Sequence, residues 1–306
     1  MISGLIMSIT EAASKSKSVR RTLQRRESLT GFIFASPAIV GTLVFFLIPF
    51  SIAIYISLTR SVNVAGTTGI RNYIDMLQNY TFQLAAWNTA RFVFVAVPLI
   101  MAFSLFVALL LHRKMKGSKF FTGVFIFPLI LPIASVVLFF QIIFAGDGIV
   151  NQLLAAMGVP LTNWLQSDSA FTVLVTLHIW KNCSYNIILF LAALNSIPKE
   201  YYEVFSLESS SKLKRLYYVT LPLMTQYIFF ILCISVINTF KSFREAFILC
   251  GEYPHTSIYM IQHFMSNNIR NLNYPRLSVA AVLVFLVVIM FIIFFFRFRT
   301  HAGAKD

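Results

Sequence analysis

The residues best suited to chemistry in this chain are polar side chains that lie inside long apolar stretches. Around residue 181, Lys181 and Tyr185 are spaced i and i+4, and Asn182 and Asn186 occupy the neighbouring stripe of the same helix. Amide, phenol and ammonium groups on one side of a helix can hydrogen-bond a hydroxyl-rich ligand, and the ring of Tyr185 can pack against its apolar parts. The same groups could instead hold helices together without touching a ligand.

A second polar cluster occurs at 238–245. Asn238, Lys241 and Glu245 recur at i, i+3 and i+7, and Lys241 and Glu245 have the spacing of a helical ion pair. This pair could be purely structural, or it could line a path across the membrane. Arg244 has no obvious partner in the sequence, and its guanidinium could bind a carboxylate on an acidic sugar.

The composition is that of an integral membrane protein. The chain has 306 residues, of which 58% are hydrophobic and 12% charged, and its mean hydropathy of +0.77 is far above that of a water-soluble domain. The net charge of +14 comes mainly from Lys and Arg beside the apolar stretches. That pattern is typical of topology-setting charge and does not indicate a nucleic-acid partner. The three cysteines have neither metal-ligand nor disulfide-framework spacing.

Six apolar runs are long enough to cross a bilayer, whose hydrocarbon core of about 30 Å needs roughly 20 helical residues. They are 32–58, 92–111, 121–145, 171–194, 226–249 and 277–296. Basic residues concentrate before the first run, after the second and fourth runs, and in the tail, so we expect both termini to be cytoplasmic. We predict an all-α polytopic membrane protein with six transmembrane helices, comprising a cytoplasmic lead-in at 1–30, the transmembrane domain at 31–300 and a cytoplasmic tail at 301–306.

The loop between the fourth and fifth runs, 197–222, predicts two short helices joined by a serine turn. Pro198 at the first turn, followed by Glu200 and Glu203, favours a helix start. Apolar residues then recur at helical spacing in both halves of the loop. They are Tyr201, Val204, Phe205, Leu213, Leu216 and Tyr217. This apolar face could lie on the membrane surface or dock on another protein, and spacing alone does not distinguish the two.

The same loop resembles the EAA loop of binding-protein-dependent ABC importer permeases, specifically the carbohydrate permeases of the maltose-permease type. Residues that match in order are Ile197, Pro198, Glu200, Glu203, Glu208, Leu221 and Pro222, with Glu208 at the motif's Asp. Val204 and Phe205 replace its two alanines, and Ser209 replaces its glycine. Similar stretches are RESLTGFIFASPAIVGTLVFFLIPF, IWKNCSYNIILFLAALNSIPKE and NTFKSFREAFILCGEYPHTSIYMIQHFM. The resemblance therefore covers nearly the whole chain after Arg26.

The resemblance implies a fold, partners and site residues. The fold would be that of a type I ABC importer permease in a bacterial cytoplasmic membrane, embedded in the lipid bilayer. The partners would be a second, homologous permease subunit, two ATPase subunits that hold ATP and Mg, and an extracytoplasmic binding protein that delivers a sugar or oligosaccharide. Residues contacting the ATPase would be Glu200, Tyr201, Glu203, Val204, Phe205, Glu208, Ser209, Leu213 and Pro222. Tyr253, His255, Tyr259 and His263, in an outer segment at 251–276, would contact the binding protein.

Sequence motifs for catalysis are absent. The chain has no G-x-x-x-x-G-K-[ST], H-E-x-x-H or G-x-S-x-G pattern, so we expect a non-catalytic subunit without a cofactor of its own. His255 and His263 are too isolated to predict a metal site. The eleven acidic residues do not form an intramembrane proton relay. Three alternatives stay open: an ABC permease for a non-sugar solute such as a phosphodiester or osmolyte, a secondary carrier, and a membrane enzyme or scaffold.

Overall fold

The computed structural model describes residues 31–61, 64–67, 69–113 and 117–302. The predicted lead-in at 1–30 and residues 303–306 of the predicted tail lie outside this part of the chain. Contacts between residues divide the chain into two units: 1–72 together with 274–306, and 73–273.

The first unit contains two long helices and a short hairpin. Helix α1 is Gly31–Ser57, with a π-helical stretch at Leu43–Leu47 just before Pro49, and helix α13 is Tyr274–Ala302. The rings of Phe50 and Phe285 lie 4.3 Å apart between centroids, so the two helices pack through aromatic contacts. Strands β1 (Thr59–Ser61) and β2 (Val64–Thr67) form an antiparallel pair that was not anticipated from the sequence.

The second unit is a helical bundle built around one central helix, Ala170–Ser196. Its helices in chain order are α2 (Arg71–Leu77, which begins in the first unit), α3 (Tyr80–His112), α4 (Ser118–Ile130), α5 (Ile133–Ile143), α6 (Ile149–Ala156), α7 (Ala170–Ser196), α8 (Lys199–Glu208), α9 (Lys212–Arg215), α10 (Leu221–Phe240), α11 (Phe243–Cys250) and α12 (Ile261–Arg270). Helix α7 packs against α3, α4 and α10. Leu174, Leu177 and Phe190 on α7 are completely buried.

The six apolar runs are mostly helical, which confirms the predicted helical class. Within the described residues, four helices are long and apolar enough to cross a membrane, or five if the bent pair α4–α5 forms one crossing. Helix α7 has 27 residues, about 40 Å at a rise of about 1.5 Å each, but polar residues occupy its middle. Its apolar content therefore falls below that of the other spans, and the number of six crossings stays a prediction.

Two of the predicted runs are broken where the sequence analysis placed continuous helices. The run at 121–145 bends by 99° between α4 and α5. Pro132 has no N–H to donate, and it drives the preceding Leu131 into an extended conformation with φ −69° and ψ 135°. The run at 226–249 is interrupted at Lys241 and Ser242, between α10 and α11.

The loop at 197–222 forms the predicted helix, serine turn and second helix. Helix α8 ends at Glu208, and Ser209 is extended with φ −152°, so the serine that replaces glycine carries no left-handed strain. The Ser211 hydroxyl accepts a hydrogen bond from the N–H of Lys214 at 3.4 Å and caps α9. A π-helical turn, Leu216–Thr220, then leads into α10 just before Pro222.

Candidate functional site

A buried histidine that the sequence analysis did not single out organises the polar stripe of α7. His178 is 1% exposed, its Nδ1 lies 2.6 Å from the hydroxyl of Ser242, and its Nε2 lies 3.2 Å from the hydroxyl of Thr239. The amide of Asn182 donates to the His178 carbonyl at 3.0 Å. These contacts join α7 to the break between α10 and α11. The available sequence signal was the i, i+4 spacing of His178 and Asn182 inside an apolar run.

The side chain of Lys181 contacts the second interrupted span, at the bend between α4 and α5. Its ammonium nitrogen donates to the carbonyl oxygen of Pro128 at 3.0 Å and to that of Leu131 at 2.6 Å. One turn further along α7, the hydroxyl of Ser184 donates to the carbonyl of Phe125 at 2.6 Å. The polar middle of α7 therefore supplies hydrogen bonds to the α4–α5 bend on one side and to the α10–α11 break on the other.

The remaining predicted residues of α7 separate into a buried and an exposed group. The amide of Asn186 donates to the hydroxyl of Ser235 at 2.9 Å, and Asn186 is 2% exposed, so it joins α7 to α10. Tyr185 is 37% exposed in the isolated chain and is free to contact a ligand. Its role in a solute path stays a prediction.

The break at Lys241 changes the predicted geometry of the second cluster. Lys241 and Arg244 are exposed, whereas Glu245 is 7% exposed and its Oε2 has no hydrogen-bond partner. The possible Lys241–Glu245 pair is not formed in the part of the chain that the structure describes, because the helix that would align the two side chains ends between them. Within the described residues, the positive charges of Arg244 and Lys181 act on the Glu245 carboxylate.

The candidate solute-contact region consists of Glu245 and Arg244 on α11 and Tyr185 on α7. Glu245 offers a carboxylate oxygen without a partner, Arg244 offers an exposed guanidinium, and Tyr185 of α7 offers a phenol. Hydroxyl groups can both accept from the cations and donate to the carboxylate. Asn238 is partly exposed on the last turn of α10, next to this region in sequence.

The outer segment at 251–276 is held on α3 by two polar residues that were not predicted. The amide of Asn88 donates to the carbonyls of Thr256 at 2.6 Å and Tyr259 at 3.0 Å. The hydroxyl of Thr89 accepts from the N–H of Ile261 at 2.9 Å. Since these partners lie about 170 residues away in the chain, no local sequence signal identifies the contacts.

The four residues predicted to contact a binding protein differ widely in solvent exposure. Tyr253 is 71% exposed, and His255 is half-buried with its Nδ1 3.9 Å from a carboxylate oxygen of Asp168. Tyr259 is half-buried, and its hydroxyl accepts from the Asn267 amide at 3.2 Å. His263 is completely buried, so contact with an outside protein would require the segment to open.

His263 is held as a neutral imidazole. Its Nδ1 accepts the N–H of Met260 at 3.1 Å, and the ring lies 4.8 Å from that of Phe243. Burial lowers the pKa of His263 from 6.5 to about 4. Within the described residues, neither His263 nor His255 belongs to a group of three or more residues able to hold a metal ion.

The EAA-like loop, residues 197–222, presents an apolar surface that the described part of the chain leaves uncovered. On α8, Tyr201 is 52%, Val204 68% and Leu207 89% exposed, and they recur every three residues. Leu213 beyond the serine turn is 79% exposed. Leu207 was not among the predicted contact residues, although its i+3 spacing from Val204 was a usable signal.

Phe205 and Tyr202 form the opposite side of α8 and attach it to the bundle. Phe205 is half-buried, in contrast to Val204. Tyr202 packs against the buried cluster that includes Phe190 and Met224. The guanidinium of Arg215 lies 5.7 Å from the centre of the Tyr202 ring. Helix α8 is therefore fixed to the following helices while its other face stays exposed.

Comparison with known proteins identifies the family of this chain. The family model for the inner membrane component of binding-protein-dependent transport systems matches residues 96–302. The chain is 30% identical over 306 residues to the probable ABC transporter permease protein YesP of Bacillus subtilis, covering 95% of each chain. It is 28% identical over 280 residues to the trehalose/maltose transport system permease protein MalF of Thermococcus litoralis, covering 90% of this chain and 95% of that one.

A solved structure shares the fold. It is the crystal structure of a bacterial ABC transporter involved in the import of the acidic polysaccharide alginate, with a TM-score of 0.79 and 19% identity over 92% of this chain and 98% of that chain. These matches confirm the resemblance drawn from the EAA-like loop and the spans. The chain belongs to the family of inner membrane components of binding-protein-dependent transport systems and is a multi-pass membrane permease.

Proposed function

We propose that this chain is one permease subunit of an ABC importer for a sugar or oligosaccharide. The observation that carries the proposal is the exposed apolar face of α8, formed by Tyr201, Val204 and Leu207. An apolar face of this kind, outside the long apolar helices, is stabilised when another surface buries it. Since the chain has no nucleotide-binding motif, the proposed occupant is a cytoplasmic ATPase subunit.

The mechanism we propose is alternating access driven by the ATPase pair. ATP-dependent closure of the ATPases would displace α8 and α9. Tyr202 of α8 would transmit the displacement to the bundle, because it packs against a buried cluster formed mainly by residues of α3, α7 and α10. ATP and Mg would bind in the partner subunits, and the present chain would perform no chemistry.

The solute path would lie between this chain and a second, homologous permease subunit. Tyr185, Arg244 and Glu245 are the residues we assign to solute contact, with Lys241 and Asn238 near them. One relative supports a carbohydrate solute: MalF is described as a trehalose/maltose transport system permease protein, and the similarity to it covers 90% of this chain. The exposed part of the outer segment, including Tyr253, would receive the solute from an extracytoplasmic binding protein.

Purification of the tagged full-length chain from native membranes, followed by uptake assays in vesicles, tests the proposal. We expect an ATP-binding subunit and a second permease to co-purify, and we expect oligosaccharide uptake to require ATP. Uptake that persists without ATP but collapses with an uncoupler would identify a secondary carrier. Co-purification with a single partner that is not an ATPase would identify a scaffold.

A further inference from the structure

We propose that Lys181 is a positioning residue that stabilises the bend between α4 and α5 by supplying the hydrogen-bond donor that Pro132 lacks. In an α-helix, the carbonyl of residue 128 would accept a hydrogen bond from the N–H of residue 132. Residue 132 is proline and has no N–H. The Lys181 ammonium lies 3.0 Å from that Pro128 carbonyl, where the missing donor would act.

The second contact of Lys181 closes the other side of the bend. Leu131 is extended, so its carbonyl leaves the helical hydrogen-bond ladder, and the Lys181 ammonium donates to it at 2.6 Å. Two carbonyls released by one bend therefore converge on one side chain. Backbone groups without partners are very unfavourable at membrane depth, and broken membrane helices occur where protein groups satisfy them.

The charge of Lys181 suits this position as well as its hydrogen bonds do. The carbonyl end of a helix carries a partial negative charge, and α4 ends at Ile130, next to the ammonium group. Lys181 is half-buried, and the carbonyl oxygens replace part of the water that its ammonium group loses. Ser184 strengthens the same junction one turn away by donating to the Phe125 carbonyl at 2.6 Å.

A direct solute contact is the competing role for Lys181. Two of its three N–H donors are directed at backbone carbonyls in this structure, which leaves one for Glu245 or a ligand. Lys241 provides the matched control, because it is a lysine of the neighbouring span whose side chain is exposed and makes no such carbonyl contact within the described residues.

The experiment measures the bend directly by the distance between two spin labels. Labels replace Phe121 on α4 and Ile142 on α5, which are 46% and 67% exposed, after Cys183, Cys233 and Cys250 are changed to Ala. The 99° bend places the labelled backbone positions about 20 Å apart, against about 30 Å for a straight helix at a rise of about 1.5 Å per residue.

We expect Lys181→Met to shift part of the distance distribution toward about 30 Å. Lys181→Arg, which keeps donors and charge, and Lys241→Met, which removes a lysine without carbonyl contacts, should both keep the short distance. An unchanged distribution in Lys181→Met overturns the proposal, and so does an equal shift in Lys241→Met. Because the readout is a distance within the chain, it does not depend on the proposed transport function.

The variant Pro132→Ala keeps the proposal testable if Lys181→Met does not assemble. Alanine restores an N–H at position 132, which gives the Pro128 carbonyl a backbone donor. We expect the loss of folded protein caused by Lys181→Met to be smaller in the Pro132→Ala background than in the wild type. Equal losses in the two backgrounds show that the lysine and the missing N–H act independently, and that result rejects the inference.

Discussion

Substitution of Leu207 is the most direct test of the proposed ATPase contact, because Leu207 is the most exposed apolar residue of α8. At 89% exposed, it contributes almost nothing to the packing of the isolated chain. Leu207→Ala should therefore leave the stability of the purified permease nearly unchanged. Any loss of function must then come from a surface that buries this side chain in the assembled transporter.

The expected magnitude follows from the apolar group removed. Leu207→Ala deletes three carbon atoms, and each buried CH₂ contributes about 0.8 kcal/mol. With the side chain 89% exposed before docking, complete burial by the ATPase makes the substitution cost about 2 kcal/mol of binding free energy. That corresponds to an affinity about 30-fold weaker.

The assay is titration of the purified ATPase subunit onto the permease in lipid nanodiscs, with ATP-driven uptake measured in parallel. Leu153→Ala is the matched control, because Leu153 is 61% exposed on α6. With six crossings and a cytoplasmic N-terminus, α6 lies between the third and fourth runs and is expected on the opposite side of the membrane. It should leave ATPase affinity unchanged. Wild-type affinity in Leu207→Ala, or an equal loss in Leu153→Ala, would refute the assignment of this face.

Three further predictions concern solute charge and the outer segment. Arg244→Ala should reduce uptake of acidic oligosaccharides more than that of neutral ones, since its exposed guanidinium is the proposed carboxylate contact; equal loss of both classes would remove the charge-recognition role. Asn88→Ala should lower the free energy of unfolding by about 2 kcal/mol, because the carbonyls of Thr256 and Tyr259 lose their donor, whereas the exposed Asn271→Ala should change it by less than about 0.5 kcal/mol. His263 has a folded-state pKa of about 4 against 6.5 without burial, so the unfolded state binds the proton first and stability is lost as pH falls below 6.5. Unfolding free energy measured from pH 6.5 to about pH 5 should decrease by about 2 kcal/mol in the wild type and by clearly less in His263→Gln; identical pH slopes would contradict this.

The sequence was most informative where the signal is local. Apolar runs are detected by composition alone, and all six are mostly helical, two of them with an internal break. In the EAA-like loop, Pro198 and the acidic residues marked the start of α8, and the serines marked its end, because helix caps act within one turn of the chain. The family resemblance rested on this motif and on three further stretches of the chain, and it was confirmed by the match over residues 96–302.

The sequence was less informative about the site, because proximity in space depends on packing between distant segments. Pro128 and Pro132 lie inside the run at 121–145, but its apolar composition predicts one continuous span. Leu207 has helical spacing from Val204, but the predicted ATPase contact was Phe205, which is half-buried in the structure, whereas Leu207 is exposed. In both cases the pattern allowed more than one arrangement.

The sequence by itself determined that this chain is a helical membrane protein, which loop forms the paired short helices, and which family it belongs to. Hydropathy, helix caps and the ordered EAA-like residues are properties of neighbouring residues, so they can be read along the chain. Only the tertiary structure decided that Lys181 contacts carbonyls about 50 residues away, that His178 joins α7 to the α10–α11 break, and that Glu245 and His263 are buried. The physical reason is that hydrogen-bond partners and burial are determined when helices pack, and the same polar residue can face a ligand, a neighbouring helix or a broken backbone.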